Sequence, residues 1–243
     1  MRVVAPSVNA KDEVLNTVSR LSLFEGLDDQ TLRHIALSAE LRTLEKEEWV
    51  IHKGERGAHL YFLLIGRLQV IDSTEEGREI GISFLKPGDY FGELSVIDGL
   101  PRSASVVATS KSKLLALRRS VALDLFHHQP LVVERVLKKL ANTVRHSAFL
   151  RVILAMPSVN QRVCAMLDHL TVIAPGGLPV INNVPTQQQL AIMINTSRET
   201  VSRSMKLLID RGIIERDYQR LIVRRPEELQ RASKLGKYDE NAQ

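Results

Sequence analysis

The sequence has a single cysteine, Cys164, and no apolar run long enough to span a membrane. One thiol cannot form a disulfide within the chain, and it excludes the four-cysteine sets that hold iron–sulfur clusters or structural zinc. The first residues become polar too early for a secretory signal. We therefore expect a cytoplasmic protein without a membrane segment, a metal site or a prosthetic group.

The sequence also lacks the spacings that mark catalytic sites. Its histidines include no His-x-x-x-His pair of the kind that binds zinc on a helix, and no serine or cysteine lies in a nucleophile motif. We therefore predict that the protein is not an enzyme and has no catalytic residues.

Basic residues are in modest excess, with a net charge of +5 and an isoelectric point of about 9.4. Residues 186–225 contain eight Lys or Arg and four Asp or Glu. This excess favours an anionic partner, although a solvated helix face would have a similar composition. Charge alone leaves both interpretations open.

The periodicity of the apolar residues predicts an α+β protein. Short alternating segments separated by turn residues indicate an antiparallel β-roll, with the clearest strands at Leu60–Leu64, Leu68–Val70 and Ile80–Phe84. Helical patterns dominate after Pro130. The predicted segments are a lead-in at 1–20, the β-roll at 21–126, a long helix at 127–156, a third domain at 157–226 and a tail at 227–243.

The long helix has an apolar repeat of 3.5 residues, which is the period of a coiled coil. The repeat runs at alternating spacings of four and three through Val133, Leu137, Leu140, Val144, Ser147, Arg151 and Leu154. We expect this helix to pair with the same helix of a second subunit. The alternative is a helix that packs only on its own β unit.

Two short helices joined by a turn are predicted at Thr186–Ile194 and Arg198–Ile209. Thr186 and Ser197 occupy N-cap positions, where hydroxyl groups are favoured. The residues expected to face inward are Leu190, Ala191, Ile194, Val201, Met205 and Leu208. This pattern predicts a helix-turn-helix.

The stretch from residue 179 to the second of these helices is expected to be entirely helical. Two strands joined by a polar turn follow between Gly212 and Val223. We interpret this hairpin as a wing beside the helix-turn-helix.

The start of the second helix has side chains suited to reading DNA. Arg198 and Arg203 can donate to guanine, and Glu199 can accept from cytosine. We assign these residues to base contacts. Phosphate contacts, which fix position but not sequence, are assigned to Gln188, Ser197, Thr200 and Lys206. The predicted partner is double-stranded DNA.

The run Phe91–Ala104 combines groups suited to an anionic sugar ligand. Gly92 permits close approach of the backbone, and Arg102 has a fork of donors that matches phosphate oxygens. Glu93 can accept a hydrogen bond from a ribose hydroxyl. We predict a nucleotide pocket here, and the alternative is a surface loop in which Glu93 and Arg102 pair with each other.

Two motifs resemble known sequences. Ser197-Arg198-Glu199-Thr200-Val201 with Arg203 resembles the recognition helix of the cyclic-AMP receptor protein and fumarate–nitrate regulator family, and Phe91–Ala104 resembles the phosphate-binding cassette of cyclic-nucleotide domains. The likeness extends from about Leu21 to Val223. It implies a jelly roll that binds a cyclic nucleotide, a dimerisation helix and a winged helix-turn-helix.

The resemblance further implies a homodimer on a palindromic DNA site, with half-sites similar to TGTGA one helical turn apart, and RNA polymerase as a partner. In the pocket, Glu93 would hold the ribose 2′-hydroxyl, and Arg102 and Ser103 would hold the cyclic phosphate. The backbone of Gly92, Leu94 and Ser95 would lie beside them.

The base contact is less complete than the resemblance implies. Ser147 occupies the position of a base-contacting threonine, but Ala148 lacks the hydroxyl that the cyclic-AMP receptor offers from its second subunit. Cyclic AMP is the first expectation, with cyclic GMP and cyclic di-GMP as alternatives. Other interpretations are the same regulator with an empty or haem-binding pocket, and a cyclic-nucleotide module that controls an enzyme.

Overall fold

The computed structural model describes residues 8–73, 79–182, 184–218 and 220–235. They fall into two compact units, Met1–Asn142 and Thr143–Gln243, here called the N-terminal and the C-terminal unit. Each unit has a hydrophobic core of its own. No helix among the described residues is both long enough and apolar enough to cross a bilayer.

The N-terminal unit is an antiparallel β-roll flanked by helices. Its helices are α1 (Val8–Ser19), α2 (Asp29–Leu37), α3 (Glu93–Asp98) and α4 (Arg119–His128), with a 3-10 turn at Ser22–Phe24. Its strands are β1 (Ala39–Leu44), β2 (Trp49–Ile51), β3 (His59–Ile65), β4 (Leu68–Ser73), β5 (Glu79–Leu85), β6 (Tyr90–Phe91), β7 (Ser105–Ala108) and β8 (Ser112–Arg118). The three strands expected from the sequence are confirmed within β3, β4 and β5.

The strands form two sheets, in the orders β1-β8-β3-β6 and β2-β7-β4-β5. Strand β3 is apolar on both faces because each face meets a different core. Leu60 and Phe62 pack in the core that includes the helices, whereas Tyr61 and Leu63 pack in the core that contains residues of the other sheet. The period of two along a strand produces this division.

The long helix α5 covers Pro130–Ala155. This start agrees with the helical pattern expected after Pro130, since α4 ends at His128 and proline is favoured in the first turn of a helix. Leu140 differs from expectation: it packs against the core of the N-terminal unit with Val132 and Val136. Leu137 and Val144, which belong to the same repeat, are 59% and 68% exposed.

The C-terminal unit contains α6 (Val159–Leu170), β9 (Val172–Ile173), β10 (Pro179–Ile181), α7 (Gln187–Met193), α8 (Arg198–Asp210), β11 (Ile214–Asp217), β12 (Arg220–Val223) and α9 (Pro226–Leu235). The predicted wing is confirmed as β11 and β12. The expectation of an all-helical stretch from residue 179 is wrong, because β10 pairs with β12 and β9 in one sheet. The expected tail continues as α9 to Leu235, and residues 236–243 lie outside the described residues.

The predicted helix-turn-helix is confirmed as α7 and α8. Thr186 forms a capping box with Gln189, and the Ser197 hydroxyl accepts a hydrogen bond from the Thr200 amide. The six residues expected to face inward are all at most 3% exposed: Leu190, Ala191, Ile194, Val201, Met205 and Leu208. These local caps and the buried stripe hold the two helices in place.

Candidate functional site

Arg102 lies in the interior of the β-roll, where only 5% of the residue is exposed. Its Nη1 donates to the Gly92 carbonyl and its Nη2 to the His59 carbonyl, both at 2.7 Å. The backbone is fixed as well, because the Arg102 amide donates to the Glu55 carbonyl and the Gly54 amide donates to the Arg102 carbonyl. These hydrogen bonds to the backbone hold the guanidinium in one position.

Burial lowers the pKa of Arg102, and the neighbouring Tyr61 and Glu93 oppose that shift. The guanidinium carbon lies 5.7 Å from the centroid of the Tyr61 ring. Arginine nevertheless stays protonated in proteins. The β-roll thus contains a permanent positive charge with hydrogen-bonding capacity beyond its two carbonyl partners.

Two glycines allow the backbone to close around this guanidinium. Gly92 has a φ of +81°, and a Cβ at this position would overlap Nη1 of Arg102. A Cβ on Gly57 would overlap the Cβ of Ser95, a residue that is 3% exposed. Side chains at either glycine would therefore displace the pocket wall.

Glu93 is the first residue of α3, and its carboxylate faces a lysine rather than Arg102. Its Oε1 lies 3.3 Å from Nζ of Lys139 on α5, and its side chain is 12% exposed. The alternative of a surface loop closed by a Glu93–Arg102 pair is therefore not what the structure has. Lys139 was missed from the sequence, since nothing local to either residue indicates a pair between distant segments.

The structure brings Gly92, Glu93, Ser95 and Arg102 together in the N-terminal unit. Of the other predicted residues there, Leu94 is 44% exposed and Ser103 is also exposed. Ser147 is exposed, and it lies in the part of α5 that belongs to the C-terminal unit. Its predicted base contact stays a prediction.

The predicted DNA-reading residues form an exposed surface on α8. Arg198, Glu199, Arg203 and Lys206 are exposed, and so is Gln188 on α7. Within the described part of the chain, Arg198 and Lys206 form no ion pair. Their charges are directed to solvent or to a ligand from outside.

Hydrogen bonds at the start of α8 place its charges. The Thr200 hydroxyl lies 3.0 Å from that of Ser197 and accepts a hydrogen bond from Nη2 of Arg203 at 3.2 Å. Hydrogen bonds from its own amide and from Ser197 keep the pKa of Glu199 below its ordinary value. Glu199 therefore presents an anionic acceptor beside Arg198.

The turn before α8 is anchored by a residue that sequence patterns do not reveal. Nη1 of Arg162, on α6, donates to the Ile194 carbonyl at 2.8 Å. A second link joins the Ser204 hydroxyl to the Asn160 side chain. The first contact joins α6 to the end of α7, and the second joins α6 to α8.

The wing has its charges paired along its strands. Arg220 contacts Asp217 at 2.6 Å, and Arg224 contacts Glu215 at 2.7 Å. Tyr218, in the turn between the strands, is 98% exposed. A phosphate contact from Arg220 or Arg224 would therefore compete with these ion pairs.

Comparisons with known proteins identify the domains in which the two sets of residues lie. A family model for the cyclic nucleotide-binding domain matches residues 41–129, and one for the Crp-like helix-turn-helix domain matches residues 161–232. The cyclic AMP receptor protein of Thermus thermophilus is 33% identical over 193 residues, covering 79% of this chain and 87% of that protein. The CRP-like cAMP-activated global transcriptional regulator of Mycobacterium tuberculosis is 26% identical over 228 residues, covering 92% and 100%.

A solved structure extends the likeness to the fold. The c-di-GMP responsive global regulator CLP of Xanthomonas campestris superimposes with a TM-score of 0.55 at 19% identity, covering 81% of this chain and 99% of that one. These similar proteins are regulators and not enzymes.

We expect Gly92→Ala to destabilise the N-terminal unit more than Gly88→Ala does. Both glycines have positive φ, +81° and +95°, so both substitutions strain the backbone. Only the Cβ at Gly92 would overlap the Arg102 guanidinium, whereas nothing lies within 4 Å of one at Gly88. The difference in free energy of unfolding, from urea denaturation, should be about 1–3 kcal/mol. Equal losses in the two variants would contradict the tight packing around Arg102.

Proposed function

This chain belongs to the cyclic-AMP receptor protein and fumarate–nitrate regulator family of transcription regulators, and from that premise we propose that it is a homodimer whose binding to palindromic DNA is controlled by cyclic AMP. The observation that carries the proposal is the buried guanidinium of Arg102 in the same pocket as the carboxylate of Glu93. One group suits a phosphate and the other a ribose.

The argument for a phosphate starts from unused donors. A guanidinium has five N–H groups, and the Gly92 and His59 carbonyls accept from two of them. A cyclic phosphate can accept from others in the fork geometry that arginine provides. Hydrogen bonds to such a charged group are strong where water is excluded.

The identity of the nucleotide rests on similarity. Two relatives named for cyclic AMP cover most of this chain. Cyclic di-GMP, which the Xanthomonas structure is named for, and cyclic GMP are the alternatives. We assign Ser147 to the base contact, and because Ala148 has no hydroxyl, the base is held by fewer hydrogen bonds than in the cyclic-AMP receptor.

The proposal of a homodimer rests on the exposed residues of α5. Leu137, Ala141, Val144 and Ala148 recur at spacings of four, three and four, which is the repeat of a coiled-coil seam. Leu137 and Val144 are mostly exposed in the single chain. The two alanines allow a partner helix to approach closely.

DNA binding is assigned to α8 and its surroundings. Arg198, Glu199 and Arg203 read base edges, as residues at the start of a recognition helix do. Contacts to phosphates come from Gln188, Ser197, Thr200 and Lys206. Two copies related by the dimer axis would meet the two half-sites of a palindrome, and RNA polymerase is the proposed partner at the promoter.

Control by the nucleotide requires differential affinity. The ligand shifts the dimer toward DNA binding only if it binds the DNA-competent state more tightly than the other state.

We expect cyclic AMP to raise the affinity for a palindromic duplex with TGTGA half-sites by about 5- to 150-fold, the usual range of such coupling. Fluorescence anisotropy with no nucleotide, cyclic AMP, cyclic GMP or cyclic di-GMP measures this effect. A DNA affinity that none of the nucleotides changes would contradict the proposal.

Arg198→Ala should weaken binding to the palindrome by about 1–3 kcal/mol and relax the choice of base at one position of each half-site. Lys206→Ala is the control, because the loss of a phosphate contact weakens specific and random duplexes alike. Anisotropy titrations on both duplexes separate the two effects. If Arg198→Ala weakens both duplexes equally, Arg198 contacts only phosphate.

Val144→Glu should dissociate the dimer, because it places a buried negative charge opposite its own copy on the seam. Val172→Glu makes the same substitution at a valine that is 50% exposed on β9 and should leave the dimer intact. Sedimentation equilibrium distinguishes a mass of 27.3 kDa from twice that value. A dimer that survives Val144→Glu would show that this seam is not the interface.

A further inference from the structure

We propose that Lys139 is a positioning residue of the ligand pocket, which holds the Glu93 carboxylate in the orientation that accepts a hydrogen bond from a ribose hydroxyl. This inference rests on the proposed function, because it takes the occupant to be a ribose-containing cyclic nucleotide. The two residues are distant in sequence, and the pair exists only because the fold brings Lys139 on α5 next to the first residue of α3.

Three contacts fix the ammonium group of Lys139. Its Nζ lies 3.3 Å from Oε1 of Glu93 and donates a hydrogen bond to the backbone carbonyl of Tyr90. It also lies 3.7 Å from the centroid of the Tyr90 ring, within the range of a cation–π interaction. A lysine side chain has several freely rotating bonds, so contacts from three directions are needed to hold it in place.

The environment of Glu93 requires such a partner. Its side chain is 12% exposed, and an ionised carboxylate is costly to bury unless it is paired. Burial lowers the pKa of Lys139, while the Glu93 carboxylate acts in the opposite direction. The two charges thus stabilise each other in a site that solvent reaches poorly.

Electrostatics gives the lysine a second role in the same pocket. A bound cyclic nucleotide carries a negative phosphate, which an unpaired Glu93 would repel. Lys139 offsets the charge of the carboxylate but leaves other lone pairs of the carboxylate oxygens available. Glu93 can therefore accept a hydrogen bond from a sugar hydroxyl while Arg102 binds the phosphate. The pair therefore favours ligands that have both a phosphate and a 2′-hydroxyl.

The test compares cyclic AMP with 2′-deoxy cyclic AMP, which lacks the hydroxyl that Glu93 would bind. Isothermal titration of full-length protein should show that Lys139→Met weakens cyclic AMP about tenfold, the loss expected for one hydrogen bond to a charged group. The affinity for the deoxy analogue should change little. Lys139→Arg, which keeps the charge, should restore much of the preference for ribose.

Lys138→Met is the matched control. Lys138 is the neighbouring residue on α5, but it is exposed and pairs with Glu134 on its own helix. This variant should bind both nucleotides like the wild type. Circular dichroism checks that each variant is folded, and Lys139→Gln, whose side chain is shorter but keeps a hydrogen-bond donor, provides a second uncharged substitution.

The outcomes separate the inference from the proposed function. If the wild type binds neither nucleotide, the proposed function is wrong and the inference falls with it. If the wild type prefers cyclic AMP and Lys139→Met keeps that preference or weakens both ligands equally, the inference alone is overturned. Loss of folded structure in both uncharged variants would assign Lys139 to the stability of the fold and would likewise overturn it.

Discussion

Arg102 keeps a permanent positive charge inside the β-roll, where 5% of the residue is exposed. Backbone carbonyls of the surrounding chain accept hydrogen bonds from this group. Strand β3 begins at His59, whose carbonyl accepts a hydrogen bond from the guanidinium, and the carbonyl of Gly92 accepts a second one. Glycine is needed at this position because any side chain would occupy the space of Nη1. Two neutral carbonyls accept hydrogen bonds but do not neutralise the charge, which is why the proposed ligand is an anion.

The helix α5 contributes to each part of the proposed function. Val132, Val136 and Leu140 bury one face against the β-roll, while Leu137 and Val144 are exposed. Lys139 connects the same helix to the carboxylate of Glu93. A ligand that engages Glu93 therefore acts on a group already bonded to the proposed dimer helix. Allosteric control needs two states with different ligand affinity, and under the proposed function this contact is where the ligand would favour one of them.

Features with a local cause could be predicted from the sequence, and those that depend on distant contacts could not. The helix-turn-helix was found because caps at Thr186 and Ser197 and a buried stripe lie within a few residues of each other. Strands β3, β4 and β5 followed from alternation. Strand β10 has three residues, too few to show a period, and its pairing with β12 is made across α7 and α8. Leu140 fits the heptad repeat but packs on its own unit, because the repeat does not say which apolar surface is nearer.

The residues of the pocket show the same difference between features with a local cause and contacts between distant segments. The sequence identifies Gly92, Glu93 and Arg102 as residues of one site, and the structure brings them together. The sequence does not reveal that the carbonyls of His59 and Gly92 hold the guanidinium, or that Lys139 pairs with Glu93. These contacts join segments that become neighbours only in the folded chain. The ligand contacts of Ser103 and Ser147 stay predictions.

The central claim is that the buried charge of Arg102 binds the phosphate of a cyclic nucleotide. Isothermal titration of cyclic AMP into the wild type and into Arg102→Met tests it directly, because methionine fills much of the buried volume without the charge. The account predicts one nucleotide per chain in the wild type and an affinity at least about 30-fold lower in the variant, as expected for removal of a buried charged partner. Equal affinities in two folded proteins would contradict it.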